Sequence, residues 1–72
     1  MNAMTKIKNM LKEVYDDGRV NAMTIYKGFA PDTGETGWHW KDFGRSNAHF
    51  MGKSVTEARE WVEDHKAMQE AG

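Results

Sequence analysis

A chain of 72 residues is long enough for one small domain, near the size at which a single hydrophobic core is only marginally stable. It contains no cysteine, which excludes disulfide bonds, and its formal net charge of −1 argues against a nonspecific nucleic-acid binder, because such domains are usually strongly basic. No stretch approaches the roughly 20 apolar residues of a membrane span, and lysines interrupt the region where a secretory signal would have its apolar core, so we expect a cytoplasmic protein.

The first predicted element is an amphipathic helix from about Met4 to Tyr15, with Gly18 as its stop signal. Its apolar residues keep the helical period, and Lys6, Lys8 and Lys12 lie on other faces. A helix of this length is marginal in water by itself. We therefore expect residues 1–18 either to pack on the domain or to form a mobile cationic arm that orders only against a partner.

Three short strands are predicted next, separated by turns. The alternation of residues 20–29 indicates the first strand, and Pro31, Asp32 and Gly34 mark the loop that follows it. Residues 37–43 form the second strand, and residues 48–53 form the third after a turn at 44–47. The residues expected on the core face are Ile25, Trp38, Trp40 and Phe50. Those expected on the opposite face are Tyr26, Lys27, His39, Lys41, Phe43, His49 and Met51.

The last predicted element is a helix over Ser54–Met68. Ser54 followed three residues later by Glu57 matches a capping box, which satisfies the first free amide groups of a helix. The residues expected on its buried stripe are Val55, Ala58, Trp61, Val62, His65 and Met68. The predicted fold class is therefore α+β: a three-stranded antiparallel sheet packed by a C-terminal helix over residues 19–68, with an N-terminal amphipathic helix or mobile arm and a disordered tail at 69–72.

Motifs of catalysis and metal binding are weak in this sequence. Gly52-Lys53-Ser54 looks like the end of a nucleotide-binding Walker A loop, but Asn47 stands where that loop requires its first glycine. The histidines His39, His49 and His65 lack the i, i+4 spacing of ligands on one helix face. We therefore expect no enzyme, no cofactor, no metal and no small-molecule substrate.

The aromatic residues outside the predicted core leave two readings open. Tyr26, His39, Phe43 and Met51 form either an exposed protein-binding patch or a minor core beneath the N-terminal helix. In a different functional class, three strands followed by a helix, with HFMGKS before that helix, resemble in layout the plant AP2-type domains and the arm-binding domains of phage integrases. Such folds read the major groove of DNA with the sheet. The basic residues available for that role are Lys27, Lys41, Arg45 and Lys53.

The whole layout also resembles the small host-takeover proteins of lytic bacteriophages. It is carried by the cationic segment MNAMTKIKNMLKEV, the Trp-rich strand GWHWKDF and the acidic helix SVTEAREWVEDH. The resemblance implies binding to bacterial RNA polymerase or another large host assembly, interference with sigma-dependent transcription initiation, and antitermination as a further effect. Under this hypothesis the partner-binding residues are Lys6, Ile7, Met10, Leu11, Tyr26, Lys41 and Arg45.

Overall fold

The computed structural model describes residues 2–44 and 47–71. The elements in chain order are α1 (Ala3–Leu11), α2 (Asp17–Ala22), β1 (Thr24–Ala30), β2 (Glu35–Lys41), β3 (His49–Gly52) and α3 (Val55–Ala71). The three strands form one antiparallel sheet in the order β1-β2-β3, and α3 packs on it. This confirms the predicted α+β architecture. Across the described ranges, no helix is both long and apolar enough to cross a membrane.

The N-terminal helix is shorter than predicted. α1 has Asn2 as its N-cap, whose side-chain oxygen accepts a hydrogen bond from the Thr5 N–H at 2.8 Å. The helix ends at Leu11, where the Val14 N–H donates to the Leu11 carbonyl at 3.0 Å in a tighter turn. The prediction of continuous helix to Tyr15 was therefore wrong by about one turn.

A second short helix, α2, replaces the predicted start of the first strand. Asp16 is its N-cap, and its carboxylate accepts a hydrogen bond from the Arg19 N–H at 2.8 Å. Gly18 lies inside α2 and so is not the predicted stop signal. An aspartate favours the N-cap and is disfavoured in the last turn of a helix, which explains why Asp16 begins a new helix and does not extend the first. Val20, expected in a strand, is buried in α2.

One hydrophobic cluster joins both long helices, α2 and one face of the sheet. Its buried members are Ile7, Met10, Leu11, Val20, Ile25, Trp40, Met51, Ala58 and Val62. Since three of these come from α1, the N-terminal helix packs on the domain, which was the first of the two expected alternatives. At the other end, residues 69–71 continue α3 and are not a disordered tail, while Met68 is 60% exposed and so lies off the buried stripe.

The junction between β3 and α3 explains the Gly-Lys-Ser sequence. The Glu57 N–H donates to Ser54 Oγ at 3.2 Å, which confirms the predicted cap, and the Lys53 N–H donates to Glu57 Oε1 at 3.4 Å. Gly52 has φ +140°, and a Cβ at this position would lie 2.4 Å from Glu57 Cβ. Gly52 is therefore required for the tight passage from strand to helix.

The register of the sheet decides which residues share a face. Trp40 pairs with Ile25 on β1 and with His49 on β3, so these side chains lie on the face that the helices cover. The register then shifts between Trp38 and His39, where Met51 is passed over and Gly52 pairs with Trp38. Met51 is buried with Trp40 on this same face.

The faces predicted for β3 were therefore exchanged. Phe50, expected in the core, pairs with His39 on the face away from the helices, whereas His49 and Met51 lie on the helix-covered face. Alternation along a strand shows which of its residues share a face, but the register with the neighbouring strand determines which face that is.

Candidate functional site

The sheet face opposite the helices carries one aromatic ring from each strand. Tyr26, His39 and Phe50, here called the aromatic row, are consecutive cross-strand partners. The Tyr26 and His39 ring centroids lie 5.1 Å apart with an interplanar angle of 7°, and the His39 and Phe50 centroids lie 5.2 Å apart at 71°. No helix among the described residues covers this row, because the buried residues of α1, α2 and α3 all pack with the other face.

His39 is the fixed centre of the aromatic row. Its side chain lies between the two neighbouring rings, and the residue is only 5% exposed. Its Nδ1 lies 3.0 Å from the Gly37 carbonyl oxygen, which can only accept a hydrogen bond. Nδ1 therefore donates the proton, and Nε2 is left as an acceptor in the neutral imidazole. This contact orients the ring and, in the neutral imidazole, favours the tautomer with the proton on Nδ1.

An open groove of about 450 Å³ runs beside the aromatic row. Besides the row, its lining includes Phe29 and Asp32 near the β1–β2 turn, and Trp61 from α3. Phe29 is 63% exposed, and Trp61 is half-buried. Asp32 carries the only formal charge among the described lining residues, taking the histidines as neutral. The groove is thus mostly aromatic, with one carboxylate.

A second aromatic group lies on the helix-covered face and holds α2 against β2. The Arg19 guanidinium lies 4.4 Å from the Tyr15 ring centroid and makes two hydrogen bonds to the Asp42 carboxylate, at 3.1 and 3.0 Å. Tyr15 in turn packs on Trp40, with centroids 5.4 Å apart. Burial raises the pKa of the Tyr15 hydroxyl above its ordinary value, and the positive charge of Arg19 offsets part of that rise. These contacts stabilise the fold by joining α2 to the end of β2.

The three histidines do not meet at one site. His39 lies in the aromatic row, whereas His49 stacks on Trp40 at 4.3 Å and His65 stacks on Trp61 at 4.0 Å. Within the part of the chain that the structure describes, no group of three histidine, aspartate or glutamate side chains is arranged to hold a metal ion.

The structure separates the predicted partner-binding residues. Ile7, Met10 and Leu11 are buried in the core, so their side chains cannot contact a partner while the chain is folded, and that prediction was wrong. Lys6 is exposed on α1. The other residues divide as follows: Tyr26 and Lys41 share the open face of the sheet, and Arg45 lies outside the described residues.

Several features of this face were missed from the sequence. Phe50 was assigned to the core because the register of β3 could not be known, and no local signal places Asp32 in the groove beside it or brings Phe29, which alternates with the residues of this face, into the same groove. Phe43, predicted for this face, is 83% exposed but follows β2 rather than lying in the sheet. Met51, also predicted there, is buried on the opposite face.

The basic residues named for DNA reading do not gather on one surface. Lys27 pairs with Trp38, and Lys41 lies one residue beyond Trp40 on the same strand, so the two lysines lie on opposite faces of the sheet. Lys53 Nζ lies 3.9 Å from a carboxylate oxygen of Glu35. The described chain thus presents no basic strip along its strands.

No protein-family model, no curated protein and no solved structure matches this chain.

Proposed function

We propose that this chain is a non-enzymatic regulator that binds another protein through the open face of its sheet. The observation that carries the proposal is the aromatic row, which spans all three strands and which no described helix covers, together with the adjoining groove, to which α3 contributes Trp61. Aromatic side chains are enriched at the centres of protein interfaces, where lysine and glutamate are depleted. A chain this small gains from burying such a face against a larger partner.

The partner we propose is bacterial RNA polymerase. This rests on the resemblance of the layout to the host-takeover proteins of lytic bacteriophages, and the expected effect is interference with sigma-dependent initiation, with antitermination as a further activity. The formal net charge of −1 fits contact with a protein better than contact with DNA, because DNA affinity depends on neutralising phosphates.

The burial of α1 moves the proposed contact from the N-terminal segment to the sheet. Tyr26 and Phe50 are half-buried in the aromatic row, and Lys41 lies on the same face. These three residues form the proposed contact, and Lys6 is not part of it, because it is an exposed residue of α1, the helix that packs on the other face of the sheet.

Capture of RNA polymerase from a bacterial lysate tests the proposal. The tagged chain is expected to retain stoichiometric polymerase subunits after nuclease treatment and at raised salt, and to reduce sigma-dependent run-off transcription by the purified enzyme. Phe50→Lys places a charge in the aromatic row and is expected to abolish both effects. Phe43→Lys makes the same change at an 83% exposed residue outside the sheet and is expected to retain them.

The possible outcomes distinguish an error about the binding face from an error about the protein partner. Equal capture by both variants, with circular dichroism showing both folded, would exclude the open face as the contact. Absence of polymerase from the wild-type capture would exclude this partner. Binding that disappears with nuclease or salt would instead favour the alternative function, DNA reading by the three-stranded sheet.

A further inference from the structure

Aromatic rings and one carboxylate make up much of the described lining of the groove beside the aromatic row, which is completed by His39, His49 and the small residues Ala30, Pro31, Thr33 and Ala48. Tyr26, Phe29, Phe50 and Trp61 contribute aromatic rings to its lining, and ring faces carry partial negative charge. Asp32 adds a carboxylate at the β1–β2 turn. No lysine or arginine is among the described lining residues. This combination attracts a cation and repels a phosphate or a carboxylate.

His39 adds a directional feature to the groove. When its Nδ1 donates to the Gly37 carbonyl, the Nε2 of this lining residue is an acceptor in the neutral imidazole. A ligand with several N–H donors could therefore use both Nε2 and the Asp32 carboxylate, while its flat face packs on the aromatic rings. A quaternary ammonium group has no N–H donor and an aliphatic side chain has no charge, so neither matches the groove as well.

We infer that this groove binds an arginine side chain presented by the protein partner. The guanidinium group is planar, stacks on aromatic rings and carries five N–H donors. An ammonium group of lysine has the charge but not the flat surface or the fork of donors. The inference rests on the proposed function in taking the open face as a protein contact, and it specifies the chemistry that the partner must supply.

Titration of the purified, full-length chain with Nα-acetyl-arginine amide tests the site directly. In ¹H–¹⁵N correlation spectra, saturable shifts are expected at the amides of Phe29, Ala30, Asp32, Thr33 and Phe50 and at the indole N–H of Trp61. The expected dissociation constant is on the order of 1 mM, as for a ligand that makes one side-chain contact. Nα-acetyl-citrulline amide, which has the same shape without the charge, is expected to bind about fivefold more weakly.

Matched variants distinguish the groove from general charge attraction. Asp32→Asn is expected to weaken binding of the arginine amide about threefold, whereas Asp64→Asn, an exposed residue on α3 outside the groove, leaves it unchanged. Phe50→Leu is expected to weaken binding about threefold, and Phe43→Leu leaves it unchanged. Each control substitution makes the same chemical change as the groove substitution with which it is compared.

Three results would overturn the inference: equal binding of the citrulline amide, equal effects of Asp32→Asn and Asp64→Asn, or tighter binding of Nα-acetyl-lysine amide. Each of these results is measured on the isolated chain, in the absence of RNA polymerase. Capture of RNA polymerase is measured in lysate. The two experiments therefore distinguish an error about the ligand of the groove from an error about the protein partner.

Discussion

Replacing Leu11 with alanine tests whether α1 belongs to the core of this protein. The Leu11 side chain is fully buried, in one cluster with Trp40 and Val62. Truncating a buried leucine costs about 2–5 kcal/mol, from the lost apolar burial and the cavity left behind. A chain of this length is expected to have a free energy of unfolding of about 4–11 kcal/mol, so the substitution removes a large share of it.

Urea unfolding followed by tryptophan fluorescence and circular dichroism measures this loss. With a slope of about 1–1.5 kcal/mol per molar urea, a loss of 3 kcal/mol lowers the midpoint by about 2–3 M. Met4→Ala is the control, because Met4 lies on the same helix but is 46% exposed, and its cost should stay below about 1 kcal/mol. Equal midpoints for Leu11→Ala and Met4→Ala would refute the placement of α1 in the core.

Two further predictions concern the strand–helix junction and the partly buried hydroxyl of Tyr15. Gly52→Ala is expected to lower the melting temperature well below that of Gly44→Ala. Both glycines have positive φ, but only at Gly52 would the new Cβ lie against another atom, the Cβ of Glu57. Equal melting temperatures of the two variants would contradict this prediction. The raised pKa of Tyr15 favours the protonated hydroxyl in the folded state, so its stabilisation is complete below the unfolded pKa of about 10 and is lost as pH rises through the folded value. Urea unfolding between about pH 9 and 11.5 should therefore show a smaller alkaline loss of stability in Tyr15→Phe than in the wild type, and a loss of the same size would show that Tyr15 is not the group responsible.

The elements that the sequence predicted correctly are those with local signals. The capping box of Ser54 and Glu57 lies within four residues, and it predicted the start of α3. Turn residues and alternation predicted three strands in a meander, because neighbouring strands with short connections pair in sequence order. The boundary at Asp16 was missed because two local preferences, helix continuation and helix capping, competed within the same residues.

The candidate site depended on distant parts of the chain. Alternation showed that Phe50 and Met51 lie on opposite faces of β3, but only pairing with β2 decided that Phe50 joins His39 and that Met51 joins Trp40. The groove likewise brings together a turn, three strands and a residue of α3. No local pattern carries that information.

The periodicity of α1 shows the same difference between what a local pattern predicts and what tertiary packing decides. The sequence by itself determined that Ile7, Met10 and Leu11 share one side of a helix, because the helical period is a property of the local backbone. Whether that side faces a partner or the protein's own core was decided by tertiary packing. Burying these side chains against the sheet and α3 removes apolar surface from water and leaves the opposite sheet face, with its aromatic row, uncovered by any described helix.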